Sequence, residues 1–170
     1  MTDTNQGMSS ERPLLVRVAI PHFCRIAEAD TEGYGSSRPD AALFRAVALS
    51  RCLGGVLSLA RGIDEEILGI AEANLLQAPR VEDSAFRAAG IVIDCHIFVC
   101  GDDYLSAALM AFEYRITVHQ VELDDPRRLP FAARDFLLND DAVGSADLSL
   151  YLEDDLVIQD RLYLDKMLWF

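Results

Sequence analysis

Glu153, Asp154 and Asp155 set three carboxylates side by side directly after the apolar run 148–152 (LSLYL), with Leu156, Val157 and Ile158 behind them. Ionised groups crowded beside a core repel one another and resist losing water, so such a cluster calls for a positive partner. A hard divalent cation, Mg²⁺ or Mn²⁺, takes oxygen ligands of this kind and can hold a diphosphate at the same time. A second acidic pair, Asp102 and Asp103, follows Gly101 at the end of another apolar run. Two readings of that pair stay open: carboxylates ahead of a helix cap its N–H groups, and carboxylates at a strand end also meet ligands. Pro21, His22 and Phe23 stand in the same relation to the first apolar run.

These residues share a site only if the elements before them are parallel strands of one sheet. Residues 14–20 (LLVRVAI) read as a first strand stopped by Pro21, and residues 91–100 (IVIDCHIFVC) as a central strand buried on both faces. Residues 115–123 and 148–152 give a third and a fourth strand. Between them, Ser37 and Asp40 flank Pro39 at a helix start. An apolar stripe through Ala42, Ala46, Leu49, Leu53, Val56, Leu57 and Ala60 then runs to Gly62. Further helices are expected over 64–77, 104–112, 131–138 and 160–170. Strands alternating with helices imply an α/β fold, a mainly parallel sheet with helices on both faces. In such a sheet ligands collect at the carboxyl ends of the strands, where the acidic clusters fall.

Residues 1–12 read as a disordered lead-in and 13–170 as a single α/β domain; 170 residues suffice for one real core. The net charge of -13 repels phosphate backbones and anionic lipid, which argues against nucleic-acid partners. No apolar run reaches the ~18 residues that a membrane span needs. Residues 1–11 carry no secretory pattern, so a cytoplasmic location is expected. Cys24, Cys52, Cys95 and Cys100 fit no metal or disulfide spacing and read as buried thiols. Asp94 and His96 alternate on one strand face as a satisfied core pair, and His119 reads as a solitary core histidine. Walker and nucleophile-elbow motifs are absent, and Lys166 is the one lysine, which disfavours lysine chemistry.

The segment LYLEDDLVI (150–158), followed by a helix carrying Leu162, Leu164 and Lys166, resembles the acidic metal motif (DxD, or EDD) of nucleotide-sugar glycosyltransferases with the GT-A fold. LLVRVAIPHF, IDCHIFVCGDD and LPFAARDFLLND resemble, in matching order, the opening strand, the second strand and the helix before the motif. The resemblance implies a Rossmann-like, GT-A-like nucleotide-binding half. It implies Asp155 as direct metal ligand, with Glu153 and Asp154 meeting the Mn²⁺ or Mg²⁺ through water, or the ribose and sugar of the donor. Asp102 or Asp103 would hold the base, Arg134 would face the diphosphate or sugar, and Pro21, His22 and Phe23 would line the pocket. The implied activity is metal-dependent sugar transfer from a nucleotide-sugar donor to an unknown acceptor. Two departures stand out. Residues 61–90 form a longer link than usual, and the chain ends one helix after the motif. An N-terminal piece, an inactive relative or completion by a partner chain is therefore expected, and no catalytic base can be named. The alternative from another class is a non-catalytic interaction module. It would present the 37–61 helix and the apolar end Met167, Leu168, Trp169 and Phe170 to a partner or a second copy.

Overall fold

The computed structural model describes residues 12–25, 41–62, 66–69, 74–77, 90–139 and 145–169. Its first element is a strand, β1 (Leu14–His22), followed by a helix, α1 (Ala42–Leu57). Two short strands come next, β2 (Glu66–Gly69) and β3 (Asn74–Gln77). Then follow the central strand β4 (Ile91–Cys100), the short helix α2 (Ser106–Met110) and β5 (Ile116–Val121). A 3₁₀ turn over Pro126–Arg128 leads into α3 (Leu129–Leu137), and β6 (Leu148–Tyr151) and α4 (Tyr163–Trp169) close the described chain.

The fold is α/β, with four parallel strands in the order β5-β4-β1-β6. Side chains alternate across β1 and β4, and apolar residues line both faces, with Arg17, Asp94 and His96 set among them on the side of α3. Val16, Val18 and Ile20 pack with Cys95, Ile97 and Val99 against Leu49, Cys52, Leu53 and Val56 of α1. On the other face Ala19, Phe98 and Cys100 meet Leu129 and Ala133 of α3. The helices on the two faces thus enclose β1 and β4 from both sides, as parallel crossovers demand.

Two expectations need correction. Where a helix is expected over 64–77, the described residues 66–69 and 74–77 form instead an antiparallel pair, β2 with β3. The register sets Ile67 opposite Leu76 and Leu68 opposite Leu75, with Glu66 opposite Gln77. Backbone pairing in this register overrides the moderate helix propensity of a Glu-, Leu- and Ala-rich stretch. The first strand also does not stop at Pro21 but runs on to His22. The carbonyls of Leu15 and Ala19 accept from Asp147 and Leu152 on the β6 side. Two residues further along, the nitrogen of Pro21 faces that same side, where β6 pairing has already ended at Ala19. No ladder bond is lost. The helix start expected at Ser37 and Asp40 lies outside the described residues. Among the described residues no helix is long and apolar enough to cross a membrane.

Candidate functional site

β1 is flanked by β4 on one side and β6 on the other, so strand order reverses about β1. The carboxyl ends of β1 and β6 form the topological switch point where α/β sheets open a crevice. β6 delivers the acidic triplet to that point. Leu152 still donates to Ala19 O at 3.2 Å, and the next three residues leave the ladder.

The three carboxylates part company there. Asp154 turns in and is 8% exposed. Its Oδ2 lies 2.6 Å from His22 Nδ1 and accepts from Arg45 at 2.8 Å. His22 is fully buried, and its Nε2 accepts from the Leu105 backbone N–H at 3.1 Å. An accepting Nε2 carries no proton, which assigns the ring proton to Nδ1 and makes His22 a neutral donor to Asp154. Arg45 also donates to Phe23 O at 3.2 Å, so one guanidinium joins the triplet to the end of β1. Glu153 and Asp155 are exposed. Tyr151 donates its hydroxyl to Glu153 Oε1 at 2.7 Å; burial, reinforced by Glu153, pushes the Tyr151 phenol up. Cys52 of α1 donates its thiol to Glu153 O at 3.6 Å. Burial, with the charges of Asp154 and Asp155 added, pushes that thiol up to about 12, so it stays a thiol and no nucleophile.

The neighbouring rim segment, 101–103, is held differently. Gly101 turns with φ 50°, a left-handed conformation natural to glycine. Gln120 donates to Gly101 O at 2.9 Å and to Asp102 Oδ1 at 3.3 Å. Asp103 receives Arg25 Nε at 2.8 Å, and the Arg25 guanidinium lies 5.7 Å from the Phe23 ring centre. Neither aspartate caps α2, which starts at Ser106 without a side-chain cap. Asp103 is an ion-pair partner and Asp102 a turn residue on the exposed rim.

The expected site residues thus separate. His22, Phe23, Glu153, Asp154 and Asp155 come together at the switch point, and Asp103 is tied to Phe23 through Arg25. Pro21 and His22 are buried members of β1 rather than pocket lining. Arg134, exposed on α3, pairs with Asp135 and lies over the Phe131 ring at 5.0 Å; it joins none of the rim residues described. Sequence reasoning missed Arg45 and Arg25. Arg45 carried a signal: it stands four and seven residues before the buried Leu49 and Cys52, so a charge falls on the buried stripe of α1 and needs a partner.

Among the described residues no group of three or more His, Cys, Asp or Glu side chains is placed to hold a metal ion. Glu153 and Asp155 offer two exposed carboxylates on one loop. Mg²⁺ commonly takes one or two protein carboxylates and completes its shell with water and phosphate oxygens. The pair therefore fits a cation arriving with a diphosphate, not one caged by protein alone.

Elsewhere on the molecule, the four cysteines are free and buried. Leu43, Phe44 and Val47 form an exposed apolar stripe at the start of α1, and Met167 and Leu168 are exposed near the end of α4. No family model matches the chain, and neither a curated protein nor a solved structure matches it.

Proposed function

We propose that the crevice at the carboxyl ends of β1 and β6 binds a nucleotide-sugar donor through a divalent cation, in the manner of a glycosyltransferase. One observation carries the reading. At the switch point only the middle carboxylate of the triplet is neutralised from within, by His22 and Arg45, while Glu153 and Asp155 stay exposed. In a protein of net charge -13, two further carboxylates with no cationic partner among the described residues add repulsion that a bound cation would relieve.

In this reading Asp155 binds Mn²⁺ or Mg²⁺ directly and Glu153 acts through water or on the sugar. Asp102, on the exposed rim, accepts from the base. Phe23, with Arg25 above it, offers an aromatic face near the pyrimidine or purine. Bound, the cation supplies charge compensation for the diphosphate. Asp154, His22 and Arg45 hold the loop in shape and touch no ligand.

Thermal denaturation with Mn²⁺ and a panel of nucleotide sugars tests this. A ligand at ~100 times its Kd adds about 2.7 kcal/mol to the native state, a rise in Tm that is easily read. Asp155→Ala should melt like the parent without ligand and show no rise with it. If no nucleotide and cation pair moves the wild-type Tm, the proposal fails.

A further inference from the structure

On the face of the sheet covered by α3, away from the acidic rim, four ionisable side chains from three strands adjoin one another. Arg17 of β1 is buried, and its Nε donates to Asp94 Oδ2 of β4 at 3.1 Å. His96 of β4 places Nε2 2.9 Å from Asp94 Oδ1, although its N–H is not aimed well enough for a hydrogen bond. The other nitrogen of His96, Nδ1, lies 2.8 Å from Nε2 of His119 on β5. From α3, Phe136 covers both rings, with centroids 4.5 Å from His96 and 5.2 Å from His119. Phe98 stacks on His119 at 4.6 Å. The charged residues of α3, Arg134 and Asp135, are exposed and pair with each other.

We propose that the His96–His119 contact is a proton-counting latch, which holds β5 to β4 while the two rings share at most one positive charge and parts when a second proton arrives. The count follows from the geometry. A nitrogen–nitrogen contact of 2.8 Å needs a hydrogen on one atom and a lone pair on the other. Two neutral rings satisfy it, and so does one imidazolium beside one imidazole. Two imidazolium rings set N–H against N–H and like charge against like charge, with Phe136 and Phe98 packed on the rings. Asp94 pulls the other way, but burial and the charge of His96 outweigh it at His119, and Arg17 already draws on one of its oxygens.

Burial, and then the charge of His96, hold His119 below its ordinary 6.5. The unfolded chain therefore takes up the proton first as pH falls. Stability from the latch is complete above about pH 6.5 and is lost as pH drops through the lower folded value. Gln120, next along β5, holds the Gly101–Asp102 turn. A loosened β5 would release that turn, and acid would weaken donor binding; this last step alone rests on the nucleotide reading above.

The experiment compares the wild type with His119→Gln, whose amide oxygen can still accept from His96 but cannot titrate. Between about pH 7.5 and about pH 5 the wild-type Tm should fall by about 3 °C more than that of the variant. His22 is common to both proteins, so whatever it contributes cancels in the difference. Parallel Tm curves overturn the latch. If the variant does not fold, the ring C–H resonances of the wild type decide. A coupled titration with its last step below the ordinary histidine value, accompanied by lost amide protection in β5, supports it. Two independent, ordinary titrations with β5 still protected overturn it. A missing nucleotide-dependent Tm shift near pH 7.5 would sink the donor reading and leave the latch untouched.

Discussion

Adjacent carboxylates meet different fates at the end of β6, and the difference is set by their neighbours rather than by their type. Asp154 is nearly closed off from water and shared by His22 and Arg45, whereas Asp155 is exposed. Asp154→Ala removes one member of a buried charged network and strands the Arg45 guanidinium. It should cost about 3–5 kcal/mol in denaturant unfolding. Asp155→Ala should cost less than about 0.5 kcal/mol in the same measurement. Equal losses would mean that the inward and outward assignments are wrong. The position of the triplet was legible in the sequence, because the apolar run before it has to be a strand and has to end there. The partners of Asp154 were not, since they lie 132 and 109 residues away and only the parallel register brings them near. The same blindness hid the bond between His96 and His119. His119, expected to be solitary, is paired across β4 and β5 at 2.8 Å.

At the level of elements, the strands that cross the core read most clearly. The run 91–100 is nearly continuously apolar, broken by Asp94 and His96, and forms β4 over those residues, because a strand covered on both faces needs no strict alternation to identify it. The 64–77 stretch misled because its helix-favouring residues carry little free energy against a paired register. Two adjacent glycines near the end of α1, Gly54 and Gly55, have different surroundings. A methyl group built on Gly55 would stand 2.6 Å from Ile158 O, while one on Gly54 meets nothing within 4 Å. Gly54→Ala should accordingly stabilise the protein by about 0.5–1 kcal/mol through lower helix entropy cost. Gly55→Ala should destabilise it by about 1–3 kcal/mol, because backbone must move to admit the new carbon. Thermal or urea unfolding of the two variants checks the pair, and like signs would contradict the packing.

Across the whole molecule the dominant electrostatic fact is the net charge of -13. Several pairs offset it locally, among them the half-buried Arg61–Asp165 bridge that ties α4 to the segment after α1. They cannot cancel the total, so the native state carries self-repulsion. Raising the ionic strength from about 0.01 M to about 0.15 M shortens the screening length from about 30 Å to about 8 Å. The Tm should rise over that interval, as differential scanning calorimetry at fixed pH would record. A fall would mean that screened attractions outweigh the repulsion. The parallel sheet and its covered faces could be foreseen from pattern alone, but which charges meet could not, because pairing depends on the crossovers that bring distant segments together.

The loop after β6 is gripped along one helix at three places: Arg45 on Asp154, Cys52 on Glu153 O, and Gly55 against Ile158. Ten residues of α-helix separate the outer two holds, a span of roughly 15 Å at about 1.5 Å per residue. α1 therefore works as a gauge bar for the acidic loop. Adding or deleting one residue between positions 45 and 55 would swing one end by roughly 100° against the other. Such a change could not keep all three holds at once, and the loop would lose its calibration even with every carboxylate still present.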